Sequence, residues 1–198
     1  MNSELSYEFR MKKAFTLIET IVVIGILGLI LPALFAIIFV ILQQQSKIYR
    51  LSEVKRQGDH VLNVMGNVIR NYAVQIYSDQ TLTSGNEKCA TAGPPYSSSS
   101  SFYFKDKSTN GNWLRFYVSG NRIASESAVI PVAESPVYLT TSAINISNFS
   151  LTCNRSSLYS YPIISVGFKA TYNSSSSRPE DSASLDYQTN IKLRPHSL

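Results

Sequence analysis

Residues 12–20 read KKAFTLIET, and an uncharged run from Thr20 to Leu42 follows at once, with the next charge at Lys47. A helix needs roughly 20 apolar residues to cross the hydrocarbon core of a bilayer, so this run is long enough to span. A cleaved secretory signal has an apolar region of about 7–15 residues and a small-residue exit. Here the run is longer, and Gln43-Gln44-Gln45-Ser46 does not resemble such an exit. A retained anchor is therefore expected. Glu19 is the anomaly: a carboxylate at the mouth of a segment otherwise ready to enter lipid.

The chain has 198 residues, room for one modest domain beside the anchor, and a formal net charge of +5. Arg10, Lys12 and Lys13 precede the apolar run while Lys47, Arg50, Lys55 and Arg56 follow it, so the distribution of bases does not set the topology. The bases are scattered, with no Lys/Arg run and no nucleic-acid motif. Nothing beyond a weak electrostatic affinity for DNA is expected. The two cysteines, Cys89 and Cys153, both lie far beyond the run. In an extracytoplasmic domain such a pair is expected to form a disulfide; the alternative is two unrelated buried thiols. No Cys or His stands near either at metal-ligand spacing, so no metal site is expected.

Beyond Gln45 the pattern turns amphipathic. Ile48, Leu51, Val54, Gly58, Val61, Leu62, Met65, Val68, Ile69, Tyr72 and Ile76 recur at helical spacing between polar positions. One helix is expected from about Phe15 to about Tyr77, apolar all round over 15–42 and amphipathic over 43–78. Pro32 should kink its first half by removing a backbone hydrogen bond. Gly25, Gly28, Gly58 and Gly66 are further soft points. Residues 79–101, rich in Ser, Gly, Thr and Pro, read as a helix–sheet connector. Over 102–198 the period changes to two, predicting strands around 102–105, 113–118, 122–124, 137–139, 144–153, 164–172 and 185–193. Ser119-Gly120-Asn121 reads as a turn, and the phase slip between Ile146 and Phe149 predicts a bulge or break. A helix with one apolar stripe and a meander with one apolar face each need a partner. The expected fold is α+β, the stripe packed on one antiparallel sheet.

No catalytic constellation emerges. The two histidines, His60 and His196, have no Ser, Cys or carboxylate partner in a nucleophile motif. There is no phosphate-binding glycine loop between strand and helix and no metalloprotease or calcium-loop signature. Neither an enzyme nor a cofactor is expected.

Lys12-Lys13-Ala14 followed by Phe15-Thr16-Leu17-Ile18-Glu19 and an apolar helix resembles the class III signal of type IV pilins and pseudopilins. The motif covers about ten residues, but base, small residue, Phe, acid and span must coincide. The resemblance implies a pilin-like fold with residues 1–14 as the leader, which a membrane prepilin peptidase recognises through Lys12, Lys13, Ala14 and Phe15. It cuts between Ala14 and Phe15 and N-methylates Phe15. Glu19, fifth in the mature chain, is then the assembly carboxylate. Implied partners are the peptidase/N-methyltransferase, other pilins or pseudopilins, an assembly platform protein, and membrane lipid before assembly. The anchor is implied to lie in the cytoplasmic membrane, with its N-terminus inside and the sheet domain extracytoplasmic, until the subunit enters a filament.

The chain departs from the family pattern in three places. Ala14 replaces the usual Gly, and a start at Met11 would leave the compact leader Met11–Ala14. Major pilins close a C-terminal loop with their disulfide, whereas Cys89 lies in the connector. The tail Tyr187-Gln188-Thr189-Asn190-Ile191-Lys192-Leu193-Arg194 looks like the last strand of minor pilins and J-type minor pseudopilins. A minor subunit of a pilus, type II secretion or DNA-uptake machine is the resulting expectation. Tyr96, Tyr159 and Tyr161, read as exposed in Ser-rich loops, would suit an adhesive role, but ordinary surface loops account for them more simply. The alternative is a bitopic, membrane-anchored binding module that never polymerises.

Overall fold

The structure, a computed structural model, describes residues 16–107, 111–129, 135–174 and 182–194. The chain divides into two compact units, Met1–Gln44 and Gln45–Leu198. Helix α1 (Leu17–Tyr72) runs through both and is continuous across Pro32. In the first unit its surface is apolar all round: from Leu17 to Leu42 every large side chain is exposed, on all faces of the helix. Among the described residues it is the one helix long and apolar enough to cross a membrane.

In the second unit α1 has a single buried stripe: Val54, Gln57, Gly58, Val61, Met65, Gly66 and Ile69. The expected stripe begins later than its periodicity suggests, since Ile48 and Leu51 are exposed. The helix also ends earlier than expected. Ala73–Tyr77, read as its last turn, is strand β1. No proline or glycine breaks the helix there. The residues after Tyr72 include the β-branched Val74 and Ile76 and the aromatic Tyr77, which suit a pleated surface. They are paired on both sides: with β4 (Tyr103–Asp106), in register Tyr77–Tyr103, and with β2 (Glu87–Lys88). The Lys107 N–H donates to the Tyr72 carbonyl (3.0 Å), supplying a partner that the helix end lacks.

The strands form two sheets rather than the single sheet expected. One is six-stranded in the order β2-β1-β4-β5-β6-β7, with β5 at Trp113–Ser119, β6 at Arg122–Ser127 and β7 at Val137–Tyr138. The other is four-stranded, β10-β9-β8-β3, with β3 at Tyr96–Ser98, β8 at Ile144–Asn154, β9 at Ile163–Tyr172 and β10 at Ser184–Lys192. The expected connector is thus partly built in: β2 extends the first sheet, and β3 pairs Tyr96 with Cys153 in the second. The β5–β6 turn falls where expected, with Gly120 and Asn121 both at positive φ (55° and 61°), the requirement of a tight two-residue hairpin.

The core lies between these layers. Phe104 and Phe116 from the first sheet, Leu151, Val166 and Ile191 from the second, and Val61 and Met65 from α1 belong to one buried cluster. Phe102 links Tyr96 to Phe104 with ring centroids 5.4 and 5.5 Å away. In β8 the inward side switches phase as expected: the register shifts between Ser147 and Ser150, and Asn148 takes φ 55° so that Phe149 turns inward.

Candidate assembly site on the apolar helix

The first turn of α1 is built from Thr16, Glu19 and Thr20. Thr16 stands just before the helix, and its hydroxyl accepts from the Glu19 N–H (3.4 Å), while its carbonyl takes the Glu19 and Thr20 N–H groups (3.1 and 3.2 Å). Thr20 returns its hydroxyl to the Leu17 carbonyl (2.8 Å). Thr16-Leu17-Ile18-Glu19 has the spacing of a capping box, of which the hydroxyl arm, from the Glu19 N–H to Thr16, is made. The helix start is therefore held by its own side chains. Glu19 is exposed, in the first turn, where a carboxylate interacts favourably with the positive end of the helix dipole. Among the described residues its side chain has no hydrogen bond or ion pair. Lys12, Lys13, Ala14 and Phe15, the expected peptidase site, lie outside the described residues, as does His196.

A carboxylate in this place is chemically distinctive because of the helix that it opens. Some 26 residues of exposed apolar helix cannot rest in water, since isolated soluble domains rarely expose apolar patches beyond a few hundred Å². The stretch needs lipid or other apolar helices around it. Small residues punctuate this surface: Gly25 and Gly28 have open space where a Cβ would stand, room for another helix to approach closely. Pro32 cannot donate a hydrogen bond back to the Gly28 carbonyl, which loosens the helix locally.

In the second unit, helix and sheets are joined by polar contacts as well as packing. Arg56 and Gln57 donate to Glu53 (Arg56 Nη2 to Glu53 Oε1 at 2.6 Å, Gln57 Nε2 at 2.9 Å), and these hydrogen bonds hold the Glu53 carboxyl below its ordinary range. Gln57 also donates to the Thr141 hydroxyl (3.3 Å), so a buried glutamine in an otherwise apolar stripe has both its contacts satisfied. Tyr187 lays its ring on Gly58 and donates to the Val54 and Lys55 carbonyls (3.2 and 3.3 Å). Burial, followed by the negative charge of Asp59, raises the Tyr187 phenol above its usual value. His60 is exposed on the helix.

Cys89 and Cys153 are bonded to each other, with Cα atoms 6.4 Å apart across 64 residues of sequence. Of the three tyrosines read as exposed, Tyr159 is 95% exposed and Tyr161 46%. Tyr96 instead is half-buried: it stacks on Phe102 and donates to the Ser101 carbonyl (2.7 Å). Its Ser-rich neighbours hid the fact that β3 carries it into a sheet. Periodicity also missed a side-chain ladder on the outer face of the first sheet. Arg115 lies between the rings of Tyr103 and Tyr117 (5.3 and 4.4 Å to the centroids) and pairs with Glu126. Among the described residues no group of three or more His, Cys, Asp or Glu side chains could hold a metal. Comparison with protein-family models, curated proteins and solved structures finds no match.

Proposed function

We propose that the chain is a minor pilin or pseudopilin, a membrane-anchored, non-enzymatic subunit that enters a helical filament through its apolar N-terminal helix. The supporting observation is the pairing of one exposed acid, Glu19, with the first turn of a wholly exposed apolar helix that continues into a sheet domain. Cleavage between Ala14 and Phe15 would create an α-amino group about one turn from Glu19. N-methylation leaves that amine able to carry a positive charge. In lipid, an acid at mid-depth costs about 2.5–3.5 kcal/mol on insertion scales and less near the interface. Glu19 sits at the mouth of the span and can wait near the headgroups. On assembly the amine of an entering subunit pairs with the Glu19 of a neighbour. Because an unpaired buried charge is strongly penalised, that pair sets register while the apolar faces pack.

Two measurements test this in the native host. Mass spectrometry of the membrane fraction should find a chain beginning at N-methylated Phe15; intact leader alone, beside an active peptidase, would exclude the reading. Glu19→Ala should leave the protein in the membrane and abolish its recovery in sheared filaments. An anchored module that never polymerises would be unchanged by that substitution.

A further inference from the structure

The loop between β8 and β9, residues 155–162, with Ile163 at the start of β9, groups four exposed apolar side chains, among them Tyr159, the most exposed large apolar side chain of the second unit among the described residues, and pins the backbone beneath them by hydrogen bonds. Leu158 is 60% and Tyr159 95% exposed, and Tyr161 and Ile163 are each 46% exposed. The loop is organised around Arg155, whose guanidinium donates to the carbonyls of Ser157, Leu158, Ser160 and Ala90. The Ser160 hydroxyl closes the turn by accepting from the Ser157 N–H (3.0 Å) and donating to the Ser157 carbonyl (2.8 Å). Cys153, two residues upstream, is bonded to Cys89, the residue before Ala90, so both flanks are tied to one disulfide. Solvent-exposed Leu and Tyr side chains contribute little to the fold, yet the backbone beneath them has been ordered at an entropic cost.

The surroundings of the tip are basic. The Lys192 ammonium lies 4.9 Å from the Tyr161 ring, and Lys192 is opposite Ile163 in the β9–β10 register. Arg194 follows, exposed. On the other flank the Lys88 ammonium lies 5.5 Å from the Tyr96 ring. Glu87, the acid beside it, accepts from Gln75 (3.1 Å). Arg50 lies over the Tyr172 ring at one end of β9, whereas Ile163 begins that strand about 30 Å away.

We propose that this loop is a lipid-contact element, which places Leu158 and Tyr159 among the headgroups of an anionic membrane while Lys88, Lys192 and Arg194 meet the lipid charge. The tip is a knob with Tyr159 free on both faces, so it encloses no small molecule. Four apolar side chains are far fewer than the 20–30 residues a side of a stable protein interface. Shallow insertion next to bases works at that scale, and aromatic rings with a polar end suit the interface. A stacking ligand such as single-stranded nucleic acid would use the rings but not Leu158 or Ile163. The inference is independent of filament assembly.

The test uses the full chain held by its apolar helix in nanodiscs of neutral phosphatidylcholine, mixed with protein-free vesicles and floated. Vesicles rich in phosphatidylglycerol should capture the protein, pure phosphatidylcholine vesicles should not, and high salt should weaken capture. Leu158→Ser with Tyr159→Ser should reduce capture roughly tenfold, and Lys192→Gln about fivefold. Arg155→Ala, which frees the loop and keeps the tip residues, should also weaken it. An intact disulfide and unchanged thermal midpoint show that each variant is folded. Equal capture by both lipids, undiminished capture of the double variant, or capture of single-stranded DNA with none of vesicles would each overturn the proposal.

Discussion

At Gly58 a missing side chain lets a strand residue reach the helix backbone. A Cβ built there would fall within the Tyr187 ring, whose hydroxyl already bonds the Val54 and Lys55 carbonyls. Glycine inside a helix ordinarily costs about 0.5–1 kcal/mol relative to alanine, so propensity alone predicts that Gly58→Ala stabilises. Packing predicts the reverse, a loss of about 1–3 kcal/mol from overpacking, and packing is the larger effect. The expected outcome is a lower thermal midpoint for Gly58→Ala. In a Tyr187→Ala background the same substitution should be neutral or favourable, as a double-mutant cycle would record. A raised midpoint in the parent would refute the close approach. Sequence periodicity marked Gly58 only as a soft point in the stripe and Tyr187 only as an alternating strand residue. Their meeting could not be read from either segment, because the contact spans more than a hundred residues of chain.

Among the elements, the long strands were legible, whereas of the two- and three-residue strands only β7, expected around 137–139, was. In β8, β9 and β10 an apolar side chain recurs at every second residue because one face of the sheet meets the core. Ile164, Val166, Phe168 and Ala170 are all buried, as the alternation requires. Even the bulge between Ser147 and Ser150 announced itself as a slip of phase. Strands β2 and β3, of two and three residues, are too short to display a period. They exist because β1 and β8 offer unpaired edges to a connector that the disulfide holds in place. That bond joins the connector to β8, and in a chain-entropy account closing a loop of such length contributes about 4 kcal/mol. Replacing both cysteines by alanine should therefore lower the denaturation midpoint of the sheet domain by that order. The parent under reductant should match it. An unchanged midpoint would mean that the connector is secured without the bond.

For the whole molecule, the division at Gln44 separates an exposed apolar helix from the unit that holds the core. The buried cluster draws its helix residues from Val54 onward and the rest from the strands and from Phe102, Ala183 and Leu193 beside them, so the described core lies within the second unit. Among the described residues of the first unit none is buried. A polypeptide beginning at Gln45 should accordingly be soluble without detergent, form the Cys89–Cys153 bond and unfold cooperatively, whereas the chain from Met1 should require lipid or detergent. Aggregation of the shorter chain would show that the apolar helix contributes to the core after all. The apolar run, the acid at its mouth and the alternation of the later strands were all written in the order of residues, because hydropathy and period are properties of neighbours along the chain. Where α1 stops, how the strands divide into two sheets, and why Tyr96 is covered while Tyr159 stands clear were settled only by folding. Each depends on a distant partner: the β4 strand for Ala73–Tyr77, β8 for Tyr96, and Arg155 with its four carbonyls for the loop that carries Tyr159. Pairing energy from such partners outweighs local propensity, which is why the helix read as running on to about Tyr77 ends at Tyr72, and its buried stripe at Ile69 with Tyr72 exposed.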